Sequence, residues 1–126
     1  MEAMKKNKNV KEALELFESA AMERSEALKM SNSKKANRNY DKMAIIVKYL
    51  RENKSLHELA VFYQHPDICL RSSAAAYLLP LYEEKSIDVL QEIAEMKGIE
   101  GFNAEMTIKE WKKGNLHDFY TLLVLS

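Results

Sequence analysis

The side chains best equipped for chemistry or recognition fall in three places. Asn37, Tyr40 and Asp41 lie within about one turn of a predicted helix. An amide, a phenol ring and a carboxylate so close together can form a recognition patch. The tyrosine can equally sit at the edge of a core with its hydroxyl bonded there. Arg71 follows Asp67 by four positions, which is ion-pair spacing within a helix. That pair either holds a turn between helices or leaves Arg71 on an open surface facing an acidic partner. Trp111 is the only tryptophan. It fits the apolar period of its helix, and tryptophan is also enriched among the anchors of protein interfaces. Asn37, Tyr40, Asp41, Arg71 and Trp111 are therefore the candidate partner-binding residues.

The remaining reactive groups form no catalytic or metal-binding pattern. His57, His65 and His117 have no histidine or cysteine at ligand spacing. Cys69, the single cysteine, falls in the first turn of a predicted helix. The helix dipole there would lower its pKa, but a lone cysteine is also an ordinary small core residue. Glu83, Glu84, Glu92 and Glu95 have no basic counterpart and read as a solvated face. The three glycines, Gly98, Gly101 and Gly114, cannot build a phosphate-cradling loop. We expect no metal, no cofactor and no catalytic residue, and nothing in the chain requires an enzyme.

The elements that must position these residues are helices. Of 126 residues, 71 are Ala, Leu, Met, Glu, Lys, Gln or Arg, whereas Val, Ile and Thr total 14. This predicts an all-α fold of about six helices. The first spans residues 10–30, with Val10, Leu14, Phe17, Ala21 and Leu28 as its apolar stripe. After Ser31-Asn32-Ser33, the second spans 34–53 and buries Ala36, Tyr40, Met43, Val47 and Leu50. Ser55 to Glu58 reads as a capping box for a third helix of two turns, carrying Leu56, Leu59, Ala60 and Tyr63 and ending near His65-Pro66. Asp67 caps the fourth, in which Leu70, Ala74, Tyr77, Leu78 and Leu81 follow the period, and Pro80 ends or kinks it. Ser86 is expected to cap the fifth and Gly98 to stop it. The sixth spans 102–113, with Ala104, Ile108 and Trp111 inward and Gly114 as its stop. We read residues 1–126 as one helical domain: a long helix pair over 1–54, two short helix pairs over 55–114 and an apolar tail over 115–126. The tail either caps the last pair or stays free for a partner.

The two short pairs look like copies of one unit. Leu56 matches Ile87 and Leu59 matches Leu90 at an offset of 31, while Ala74 matches Ala104 and Leu78 matches Ile108 at 30. Such a period is that of an α-solenoid. The segment from His65 to Leu78 resembles the core of a HEAT-type repeat: an aspartate starts the second helix, an arginine follows a turn later, and small residues precede a leucine. A wider set of residues is similar to a small bacterial family known only as a domain of unknown function. They are Ala36-Asn37-Arg38 with Tyr40-Asp41-Lys42, then Arg71 to Leu81, then Gly101 to Gly114. The resemblance covers residues 34–114. It implies a short α-α superhelix of HEAT/armadillo type. Related small helical proteins stand beside bacterial toxins as candidate immunity proteins, so it also implies a non-catalytic protein-binding module that occludes a toxin domain. The alternative is a helical-repeat protein that binds nucleic acid or processes bases.

Charge bears on that choice. The 19 basic and 19 acidic residues cancel, which argues against a chain built around nucleic acid. The balance nevertheless divides. Residues 1–54 carry 13 basic and 8 acidic side chains, and residues 55–126 carry 6 and 11. The acidic half would suit a basic partner, such as a cationic toxin domain. The start lacks the apolar run of a secretory signal, and the longest aliphatic run is Leu122 to Leu125. We expect a cytoplasmic protein without a membrane partner.

Overall fold

The computed structural model describes residues 9–116. Among them the chain is all-α, with five α-helices, one 3-10 helix and no strand. The order is α1 Val10–Lys29, α2 Ser33–Glu52, the 3-10 helix Leu56–Gln64, α3 Ile68–Tyr77, α4 Glu83–Ala94 and α5 Ile99–Lys112. The chain divides into two compact units, Met1–Glu58 and Leu59–Ser126. His117 and most of the apolar tail lie outside the described residues.

In the first unit, α1 and α2 pack together across a short connection. The buried face of α1 is Ala13, Phe17, Ala20, Ala21 and Ala27. It is displaced from the expected stripe: Leu28 is exposed, and Leu14 is only half-buried. The reason is steric. Methyl side chains let two helix backbones approach closely, and the larger leucines are left at the margin. On α2 the buried set is Ala36, Asn39, Met43, Ile46, Val47, Tyr49 and Leu50. Tyr40, expected on this face, is 42% exposed, and its neighbour Asn39 is 1% exposed. Asn39 Nδ2 donates to the Lys35 carbonyl at 3.0 Å, so the amide is partly satisfied inside its own helix.

Asn9 and Asn32 cap the two helices by accepting from the Glu12 and Lys35 amides at 2.8 and 3.1 Å. Their far ends close alike. After α1, the Asn32 amide reaches the Ala27 carbonyl and the Ser31 amide reaches Leu28. After α2, Ser55 reaches Leu50 and Lys54 reaches Arg51. Both are Schellman turns, which need one residue in the left-handed region. Ser31 and Lys54 fill that position at φ 56. The expected capping box at Ser55 does not form as predicted, because the Ser55 hydroxyl donates to the Asn53 carbonyl at 3.0 Å.

The helix that follows is 3-10 rather than α. Its buried residues explain this, since Leu56, Leu59 and Phe62 recur every third position, the period of a 3-10 helix. In the second unit, α4 packs on both α3 and α5. Asp67 caps α3 as predicted, accepting from the Leu70 amide at 2.9 Å. Ser86, expected to cap α4, lies inside it and is fully buried, and the helix begins at Glu83. Gly98 does not stop that helix, which ends at Ala94. With φ 96 and ψ −169, Gly98 adopts a conformation open essentially to glycine alone and leads into α5. Gly114, at φ 81, ends α5 as predicted.

Gly101 lies against the backbone at and just beyond the end of α4. A Cβ there would collide with the Met96 carbonyl oxygen and lie 3.2 Å from that of Ile93. Gly101→Ala is expected to cost roughly 1–3 kcal/mol as overpacking, lowering the melting temperature by several degrees. Lys54→Gly removes the strain of a left-handed lysine and is expected to raise it by a few degrees. Thermal unfolding followed by circular dichroism checks both signs.

Candidate functional site

The candidate residues do not converge on one site. Asn37, Tyr40 and Asp41 are exposed on α2 in the first unit. Tyr40 carries a cation on its ring face, with the Arg24 guanidinium carbon 5.5 Å from the centroid. This is the geometry of a cation–π contact and holds the ring at the surface. Arg71 and Trp111 belong to the second unit and line different cavities. Trp111 is half-buried, and its indole N–H donates to Glu83 Oε2 at 2.8 Å. It therefore serves as a strut between α5 and the start of α4, beside Lys112 and Gly114.

Arg71 is the residue whose surroundings are unusual. The predicted ion pair with Asp67 is absent. The Asp67 carboxylate instead caps α3, accepting from the Leu70 amide. Arg71 Nε is buried without an acceptor. The side chain lines a cavity of about 340 Å³ together with Tyr63, Gln64, Lys85, Asp88, Val89 and Glu92. Lys85, Asp88 and Glu92 occupy successive turns of α4, so one helix face supplies both signs of charge. A buried N–H without an acceptor is costly to keep.

The wall of this cavity is set by a hydroxyl pair. Tyr63 Oη and Ser86 Oγ share a buried hydrogen bond of 2.7 Å. It ties the end of the 3-10 helix to α4 and leaves neither hydroxyl unpaired. Burial pushes the Tyr63 phenol above its ordinary 10; the bond to Ser86 pulls the other way, and nearby Tyr82 adds to the rise. The other reactive groups play simpler parts. Cys69 is buried in α3. His65 Nδ1 accepts from the Asp67 amide at 2.9 Å and shapes the turn before α3. Among the described residues no group of three or more His, Cys, Asp or Glu is arranged to hold a metal. No helix there is long and apolar enough to cross a membrane.

Tyr63, Lys85 and Asp88 were not among the candidates from sequence, and Glu92 was read as part of a solvated face. The available signal was modest: three charges at positions 85, 88 and 92 share a helix face. Nothing local pointed to Tyr63 and Ser86, which meet across 23 positions.

The described residues define a small all-α protein with an open, mixed-charge cavity in its second unit. Comparison with known proteins agrees with the all-α fold. The family described as a domain of unknown function, DUF2019, matches residues 11–111, and the chain belongs to it. The crystal structure of the protein RPA1889 from Rhodopseudomonas palustris is similar over 86% of this chain and 92% of its own. Its TM-score is 0.80 at 22% identity, a likeness that bears on fold alone. None of the curated proteins matches the chain.

The buried phenol gives the protein a characteristic alkaline response. Below pH 10 Tyr63 is neutral in the folded and unfolded chain alike, and its burial contributes in full. Above that pH the unfolded chain loses the proton first, so stability falls as pH rises. Tyr63→Phe is expected to cost about 1 kcal/mol at neutral pH, because Ser86 is left buried without a partner. The variant should also lose stability less steeply above pH 10. Urea unfolding at a series of pH values measures both, and parallel curves for the two proteins would contradict the assignment.

Proposed function

We propose that this protein is a non-catalytic protein-binding module whose docking site includes the Arg71 cavity. One observation carries the reading: Arg71, half-buried, stands at an open cavity lined by charges of both signs rather than in the expected pair with Asp67. The finer reading is that the module is a bacterial immunity protein that occludes a toxin domain, with the helices arranged as a short HEAT-like superhelix. Its support is the resemblance carried by residues 34–114, together with an exposed Tyr40 and a half-buried Trp111 that could serve as aromatic anchors. Occlusion needs complementary charge and a few aromatic anchors, not chemistry.

The test is co-expression with the variable C-terminal domain of a toxin encoded beside this protein. Rescue of growth, and a complex that persists in size-exclusion chromatography at micromolar concentration, are the expected results. Continued toxicity without any complex would sink the immunity reading. The nucleic-acid alternative draws on Lys34, Arg38, Lys42 and Lys48, all exposed on α2. A labelled duplex that shifts at low salt, and is released as salt rises, would favour it.

A further inference from the structure

We propose that the Arg71 cavity is a receptor for one carboxylate, the side chain of an aspartate or glutamate presented by the protein partner. This rests on the protein-binding reading and names the chemistry of the contact. Arg71 offers a planar fork of donors at the cavity; its Nε is itself buried, so a carboxylate would meet the guanidinium end-on, at the two terminal nitrogens. Lys85, exposed on the adjoining face of α4, supplies a second cation at the cavity wall. A carboxylate matches the guanidinium fork and can accept two parallel hydrogen bonds from it.

The acidic residues of the same wall decide which anion is accepted. Arg71 and Lys85 contribute two positive charges, and Asp88 and Glu92 contribute two negative ones. The lining is therefore neutral as a whole. A carboxylate brings a single charge and can sit against the arginine. A phosphate brings close to two and meets repulsion from both acidic side chains. The Tyr63 hydroxyl at this wall is already engaged with Ser86. The partner class that fits is accordingly an acidic protein segment rather than a phosphorylated one. At this one point it reverses the basic partner that the acidic half of the sequence suggests. A partner that is basic overall would still need one acidic residue at this contact.

The experiment reads the Arg71 Nε–Hε resonance of the purified full chain by NMR. Three probes are titrated: Ac-Ala-Glu-Ala-NH2, its glutamine counterpart and inorganic phosphate. The glutamate peptide is expected to shift the resonance saturably, the glutamine peptide to leave it unmoved, and phosphate to bind more weakly than glutamate. Arg71→Lys should weaken the glutamate peptide by roughly tenfold, as judged by the backbone resonances of Lys85 and Val89. Unchanged circular dichroism would show that this variant folds. The double variant Asp88→Asn/Glu92→Gln alters only exposed side chains and should raise phosphate affinity several-fold. Equal shifts with both peptides, tighter binding of phosphate, or indifference of phosphate to the double variant would each overturn the proposal. These outcomes are independent of complex formation with a toxin domain. Loss of one and survival of the other therefore separates the carboxylate contact from the immunity role.

Discussion

The hydrogen bond between Tyr63 and Ser86 is the constraint on which the second unit turns. Two hydroxyls that lie 23 positions apart are buried together at 2.7 Å. Each would be expensive to bury alone, so the 3-10 helix and α4 can pack in only one register. That register decides which residues of α4 look toward the cavity. With Ser86 inward, Val89 and Leu90 are buried, while Lys85, Asp88 and Glu92 stand outward. The length of the 3-10 helix belongs to the same constraint. Its apolar residues follow a period of three, so nine residues bury Leu56, Leu59 and Phe62 and carry Tyr63 to its partner.

The first unit depends on small side chains instead. Alanines on α1 allow α2 to come close, and the space is filled by Phe17 and Met43. The buried Asn39 is the polar exception, tied to its own helix through Lys35. The ends of both helices are held by left-handed residues that are not glycine. Each forgoes some stability to close a hairpin or lead into the 3-10 helix. At its surface the Arg24 guanidinium lies over the Tyr40 ring.

The Arg71 cavity joins these arguments to function. An N-cap and an ion pair both called on Asp67, and the cap prevailed because an unpaired helix amide is close at hand and fixed in direction. Arg71 was left beside charges of both signs on α4, with its Nε unsatisfied.

The amino-acid sequence determined by itself what depends on near neighbours. The all-α class, the approximate helix spans, the Asp67 cap and the Gly114 stop follow from helix propensity, capping chemistry and left-handed backbone preference. Arg71 was singled out through its spacing to Asp67, a pairing that the fold does not make. Only the tertiary structure decided which faces are buried. Hydrophobicity ranks leucine above alanine, but close helix packing favours alanine, so Leu28 is exposed where Ala27 is buried. Likewise Ser86 reads as a cap from its neighbours, and becomes a core residue because Tyr63 arrives from a distant segment to satisfy its hydroxyl. Such outcomes turn on contacts between residues far apart in the chain, and no local pattern encodes which of them will meet.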